Sequence, residues 1–232
     1  MSALAKSTPV QLTLGLPFEE RLGLEDFIPG SANEQALDFL QSFPDWPARV
    51  VLLIGPEGSG KTHLGAIWAD LAGAQRHRAK NLRFETMTEW LSSGALVLED
   101  ADCHDLDETA LFHLVNDVRS GAGYLVITAS EPVSAWGLTV PDLLSRLRAA
   151  VPVVIGAPDD TLLRQVIVKQ FADRQIAVEP DLVEFLASRL ERSLDAVRRV
   201  VALLDEAAIA QRRKITVRFA SAVLDFETLS LR

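Results

Sequence analysis

The stretch Gly55-Pro56-Glu57-Gly58-Ser59-Gly60-Lys61-Thr62 directly follows the apolar run Val50-Val51-Leu52-Leu53-Ile54. No other segment constrains the chain as tightly. A buried strand that enters a glycine-rich turn and then a helix aims main-chain N–H groups at one point. The helix N-terminus adds partial positive charge there. The spacing G-x-x-x-x-G-K-T in that context is a phosphate-binding loop. Gly55, Gly58, Ser59 and Gly60 form the cradle, Lys61 can reach the outer phosphates, and the Thr62 hydroxyl can join a Mg²⁺ shell. The blander reading is a strand-to-helix turn with an incidental lysine, and the strand ahead of the loop weighs against it.

The rest of the chain tells what surrounds the loop. Apolar runs at 49–54, 95–98, 124–128 and 151–155, and a short one at 82–85, read as strands. Between them lie helical periods at 30–43, 61–72, 87–92 and 106–120, the first capped by Ser31 or Asn33. Continuous apolar strands alternating with helices predict a parallel sheet covered on both faces, with ligand at the carboxyl ends of the strands. The pattern changes at Gly156-Ala157-Pro158. Beyond it only helical periods remain, about 159–174, 180–190, 194–211 and 216–227, with Pro180 in a first turn and Thr216 as a cap. The expected organisation is a lead at 1–17, an α/β domain at 18–157 and a small all-α domain at 158–232.

Composition excludes several classes. The 232 residues are 48% hydrophobic and 24% charged, with a formal net charge of −9. Such a chain does not bind duplex DNA through a broad phosphate-neutralising face. Arg76-His77-Arg78 and Arg212-Arg213-Lys214 are short basic clusters and read as solvated faces. The single cysteine, Cys103, rules out an internal disulfide framework, and the four histidines form no metal-ligand pattern. No apolar run approaches a membrane span and no signal core is evident. These features point to the cytoplasm.

Five further positions carry chemistry. Glu99 and Asp100 close the strand at 95–98, where one carboxylate can hold Mg²⁺ and a second can orient an attacking water. Ser130, in Thr128-Ala129-Ser130, offers a hydroxyl at the end of the next strand. Arg146 follows Pro141 in a short helix, and Arg198 lies on a helix of the C-terminal domain. An arginine at a subunit edge can stabilise a phosphoryl group in a neighbour, and one from a helical lid can clamp a nucleotide between two domains.

These residues resemble the AAA+ ATPases of the DnaA class, and within that class the Hda regulators, over nearly the whole chain. Gly55 to Thr62, followed by His63-Leu64, resembles the Walker A motif, and Leu96-Val97-Leu98-Glu99-Asp100 the Walker B motif. Asp26 to Asn33 resembles the segment near the nucleotide base, which implies a base contact for Ile28. Thr128 to Ser130 stands where sensor I is expected. Leu144-Ser145-Arg146-Leu147 resembles the arginine-finger box, Val197-Arg198-Arg199-Val200 resembles sensor II, and 215–224 resembles the end of the lid. Gln11-Leu12-Thr13-Leu14-Gly15-Leu16 resembles the clamp-binding peptide of Hda proteins, a type of extended segment that inserts into an apolar groove.

The resemblance implies a fold, a site and a role. The fold is a P-loop AAA+ parallel sheet followed by an all-α lid. His63 and Arg198 join the loop in holding ADP or ATP with Mg²⁺, and Thr62 and Glu99 are the implied metal contacts. The partners are the DnaA initiator and the sliding clamp, the latter held by Gln11, Leu12, Leu14 and Leu16; a homo-oligomer is possible. The implied role is negative regulation of replication initiation, with Arg146 promoting ATP hydrolysis in DnaA. The chain ends after the lid, so the initiator's helix-turn-helix domain is not expected. The family's first Walker B acid is usually Asp. Glu99 carries its carboxylate about a bond length further, so weak intrinsic hydrolysis is expected. Two alternatives stand beside this reading, a helicase-loader-type AAA+ protein and a stand-alone P-loop kinase for a small molecule.

Overall fold

The computed structural model describes residues 22–224. Gln11, Leu12, Leu14 and Leu16 therefore lie outside the described residues.

Five strands form one parallel sheet: β1 (Val50–Ile54), β2 (Gln75–Arg78), β3 (Ala95–Glu99), β4 (Tyr124–Ala129) and β5 (Val151–Val154). Their order in the sheet is β2-β3-β4-β1-β5. Alternate residues of a strand face opposite sides, and the apolar strands divide accordingly. Val50, Leu52, Leu96, Leu98, Leu125 and Ile127 enter one core, which is closed by α3 (Phe84–Trp90), α4 (Glu108–Asp117) and α5 (Pro141–Arg148). Val51, Leu53, Val97 and Val126 enter the opposite core, under α1 (Glu34–Gln41) and α2 (Lys61–Ala72). Trp68 of α2 is wholly buried in that second core. Both faces are covered, as a parallel sheet requires.

Two strands differ from the sequence-based expectation. The second strand is not 82–85. Leu82 is buried in a core at the end of a short turn, and Phe84 already begins α3. The strand is instead the polar run Gln75-Arg76-His77-Arg78, of which Arg76-His77-Arg78 was expected to be a solvated face. It pairs with β3 along one side only, with Arg76 opposite Val97 and Arg78 opposite Glu99. Main-chain bonds to a neighbour make such an edge strand without an apolar pattern, while His77 stacks on Trp90 at 4.1 Å. The other difference is β5, expected to be buried on both faces. It is the opposite edge, and Pro152 and Val154 are exposed. Proline has no N–H to donate and is tolerated at a sheet edge.

Four helices follow the sheet: α6 (Asp160–Ala172), α7 (Pro180–Ala187), α8 (Leu194–Gln211) and α9 (Val217–Val223). Leu163, Ile167, Phe171, Leu186, Val197 and Leu204 belong to a third core. Side chains cap three of these helices as their sequences suggest: Asp159 accepts from Leu162 N, Ser193 from Ala196 N and Thr216 from Phe219 N. Residues 22–33 join the two parts. Ser31 donates to Asp159 at 2.7 Å, Gly156 N donates to Ala32 O at 2.9 Å, and Lys169 donates to Asp26 at 2.7 Å. Asn33 is the N-cap of α1, but its side chain accepts from Gly30 N and donates to Ile28 O, pinning this joining segment instead.

Candidate functional site

The strand order puts β1 between β4 and β5, so the chain leaves β1 at the point where the sheet's connectivity reverses, the usual ligand crevice of an open α/β sheet. The loop conformation needs its glycines. Gly58 and Gly60 have φ of 67° and 102°, a region that only glycine enters freely. A Cβ at Gly55 would sit 2.7 Å from Ile155 O. The loop then opens α2, whose first N–H groups have no partner within the helix.

Lys61 is buried. Its Nζ donates to Gly55 O at 2.6 Å, Pro56 O at 3.0 Å and Ser130 Oγ at 3.2 Å. Burial lowers its pKa, against the opposing pull of Asp102 and Asp100. Thr62 is exposed beside it and lines the same cleft. Ser59 Oγ is buried with no hydrogen-bond partner among the described residues.

The ends of β3 and β4 are stitched together. Asp100 takes a left-handed φ of 57°, and its N–H donates to Thr128 Oγ1 at 3.0 Å. Ala101 N donates to Thr128 O at 2.9 Å. Asp102 Oδ2 accepts from Ser130 N at 2.8 Å and from Glu131 N at 3.1 Å. Of the two hydroxyls that end β4, Thr128 thus serves the backbone and Ser130 meets Lys61. The sequence carries no local signal for Asp102, because its partners lie 28 and 29 residues away. Glu99 behaves differently from Asp100. Its carboxylate is held by Arg76 at 2.7 Å, and it is not among the residues lining the cleft.

The cleft over the loop measures about 1000 Å³ and includes Asp100, Asp102, Ser130, Arg78, Asp195 and Arg198 in its wall. A second cavity of about 410 Å³ adjoins it, and Gly60 and Arg198 line both. This second space is more apolar, with Phe27, Ile28, His63, Val166 and Leu194 in its wall. His63 meets Gly23 O at 3.0 Å and packs edge-on to Phe27 at 5.1 Å. Burial lowers the His63 pKa. The lid touches the loop directly, since Leu194 N donates to Gly58 O at 2.7 Å. Arg198 pairs with Asp195 at 2.8 Å on the first turns of α8.

Arg146 lies apart from both cavities. It is half-buried on α5, with its guanidinium 5.2 Å from the centre of the Phe112 ring. Glu108 holds the start of α5 by accepting from Thr139 N, Thr139 Oγ1 and Val140 N at 2.9–3.0 Å. Burial pushes the Glu108 carboxyl up, but these hydrogen bonds outweigh it and hold its pKa below the ordinary value.

A polar cleft beside a phosphate loop, continuous with an apolar cavity, has the chemistry of a nucleoside polyphosphate site. Mg²⁺ in such sites takes few protein ligands and keeps water and phosphate oxygens. The Thr62 hydroxyl and the Asp100 carboxylate both line this cleft and fit that role. No group of three or more His, Cys, Asp or Glu side chains forms a dedicated metal cage among the described residues. No described helix is long and apolar enough to cross a membrane.

The phosphate loop on β1, the parallel order around it and the helical lid closing on the loop define the AAA+ fold. Comparison with known proteins narrows this. Residues 160–224 match the family model "Hda, lid domain". A Haemophilus influenzae protein is 28% identical over 228 residues, covering 93% of this chain and 98% of its own. Domain III of the Thermotoga maritima replication initiation protein DnaA superposes with a TM-score of 0.75 at 16% identity, covering 90% of this chain and 98% of that one. AMPPCP-bound DnaA from Aquifex aeolicus gives 0.66 at 17% identity, covering 79% and 65%. The Thermotoga maritima RuvB branch migration motor gives 0.70 at 17% identity, covering 88% and 71%. The chain thus shares the fold of DnaA domain III, and its residues 160–224 resemble the Hda lid domain.

Proposed function

We propose that this chain is an Hda-like negative regulator of DNA replication initiation, acting on the ATP bound by DnaA. ADP or ATP with Mg²⁺ occupies its own cleft, and Arg198 from the lid and Lys61 from the loop hold the phosphates. Asp100 and Thr62 orient the metal, and Ile28 and His63 flank the base. This ligand sets the angle between lid and sheet. Intrinsic hydrolysis is weak, because Arg76 occupies the Glu99 carboxylate.

The observation that carries the reading is the separation of the two arginines. Arg198 lines the chain's own cleft, whereas Arg146 stands outside it at the Phe112 ring. An arginine held away from its own phosphate loop is available to a neighbour's. There it stabilises the charge of the transferring phosphoryl group, an effect of about 10³–10⁵ in rate in other phosphoryl-transfer systems. Gln11, Leu12, Leu14 and Leu16 dock on the sliding clamp and bring Arg146 to DnaA.

ATP hydrolysis by DnaA, followed with clamp and DNA present, tests this. The intact protein stimulates it, and Arg146→Ala abolishes the stimulation while its own nucleotide affinity is retained. Absence of stimulation by the intact protein overturns the proposal. Clamp pull-down is lost on changing Gln11 and Leu14 to Ala, and an unchanged pull-down removes the clamp from the scheme.

A further inference from the structure

Arg78 is the last residue of β2 and stands opposite Glu99 in the register. Its side chain is exposed and lines the same cleft as Lys61, Thr62, Asp100 and Ser130. Residues two apart on a strand share a face, so Arg76 and Arg78 lie on the same face as the neighbouring Glu99. Arg76 holds its carboxylate, at 2.7 Å. No ion pair joins Arg78 to a carboxylate among the described residues. The strand order explains its reach. Three strand spacings separate β2 from β1, about 14 Å. A ligand anchored at the loop meets Lys61 first, then the ends of β4 and β3, and Arg78 only at its outer end.

We propose that Arg78 binds the outermost phosphate of a nucleoside triphosphate and so makes the cleft distinguish triphosphate from diphosphate. The inference rests on reading the cleft as a nucleotide site. Asp100, Asp102 and Glu131 make this end of the cleft acidic. An additional phosphate there is favoured by a further cation beside Lys61, Arg198 and the metal. A guanidinium offers two parallel N–H donors to phosphate oxygens, and a surface position leaves it hydrated until that group arrives.

The test measures equilibrium affinity for fluorescent ADP and for a non-hydrolysable ATP analogue, with Mg²⁺ present. Intact protein, Arg78→Ala and Arg78→Lys are compared, and thermal melting confirms that each is folded. Arg78→Ala weakens the triphosphate analogue about tenfold and leaves ADP within about twofold; Arg78→Lys recovers part of the loss. Equal weakening of both nucleotides, or no change in either, overturns the assignment while the nucleotide site stands. If the intact protein binds neither nucleotide, the reading of the cleft fails and the assignment of Arg78 fails with it.

Discussion

The two walls of the cleft are held by different kinds of bond. On the strand side, hydrogen bonds to main-chain groups fix the geometry. Gly55 N bonds Ala129 O, Ala101 N bonds Thr128 O, and Asp102 gathers the N–H groups of Ser130 and Glu131. On the lid side, a main-chain bond from Leu194 N reaches Gly58 O, and side-chain links run from Ser31 to Asp159 and from Lys169 to Asp26. A wall tied through the backbone is organised before any ligand arrives. A wall that hangs on a few bonds, side-chain links among them, is more readily moved by one substitution. Binding strength should therefore reside mainly on the strand side, and closure on the lid side.

The most severe way to break this contrast is Lys61→Ala. It removes the buried cation of the strand-side wall and should weaken nucleotide binding about a hundredfold in equilibrium titration. Retained affinity would mean that the lid carries the binding. Gly58→Ala attacks the junction of the two walls. The left-handed φ costs about 1 kcal/mol, and the new Cβ would lie 2.1 Å from Ser193 Oγ. Affinity should fall about tenfold, and the double variant with Ser193→Gly should recover part of it. No recovery would show that the strain lies in the loop alone.

Asp102→Ala loosens the strand-side wall without touching the loop. Losing two hydrogen bonds to a partly exposed carboxylate should cost about 1–2 kcal/mol, seen as a lower Tm. The smallest effect concerns His63. Burial lowers its pKa from the ordinary 6.5, so the unfolded chain takes up this proton before the folded one. Its contribution to stability is complete above pH 6.5 and declines as pH falls below it. Thermal melting between pH 7.5 and 5.5 should show that decline, and His63→Gln should flatten it. An identical profile in the variant would place the pH dependence elsewhere.

The legible part of the site was the part written in consecutive residues. The strand, three glycines at demanding backbone positions, Lys61 and Thr62 lie within about a dozen residues, and local geometry suffices to relate them. Asp100 and Ser130 were legible for a similar reason, since each directly follows a strand. Arg76-His77-Arg78 misled because an edge strand needs no apolar alternation when a neighbour's backbone completes its pairing. Asp102 and Arg78 carry no local signal at all. Their roles arise from what lies beside them in the sheet.

Local order in the chain was thus enough to settle the fold class, the loop conformation and the change from α/β to helical structure at Gly156. Each follows from hydrophobic period and backbone sterics, which act over a few residues. Tertiary structure alone decided which arginine takes the Glu99 carboxylate and that Asp102 holds the end of β4. Those outcomes depend on the order β2-β3-β4-β1-β5. That order brings together groups far apart in sequence, and electrostatic and hydrogen-bond partnerships depend on distance in space.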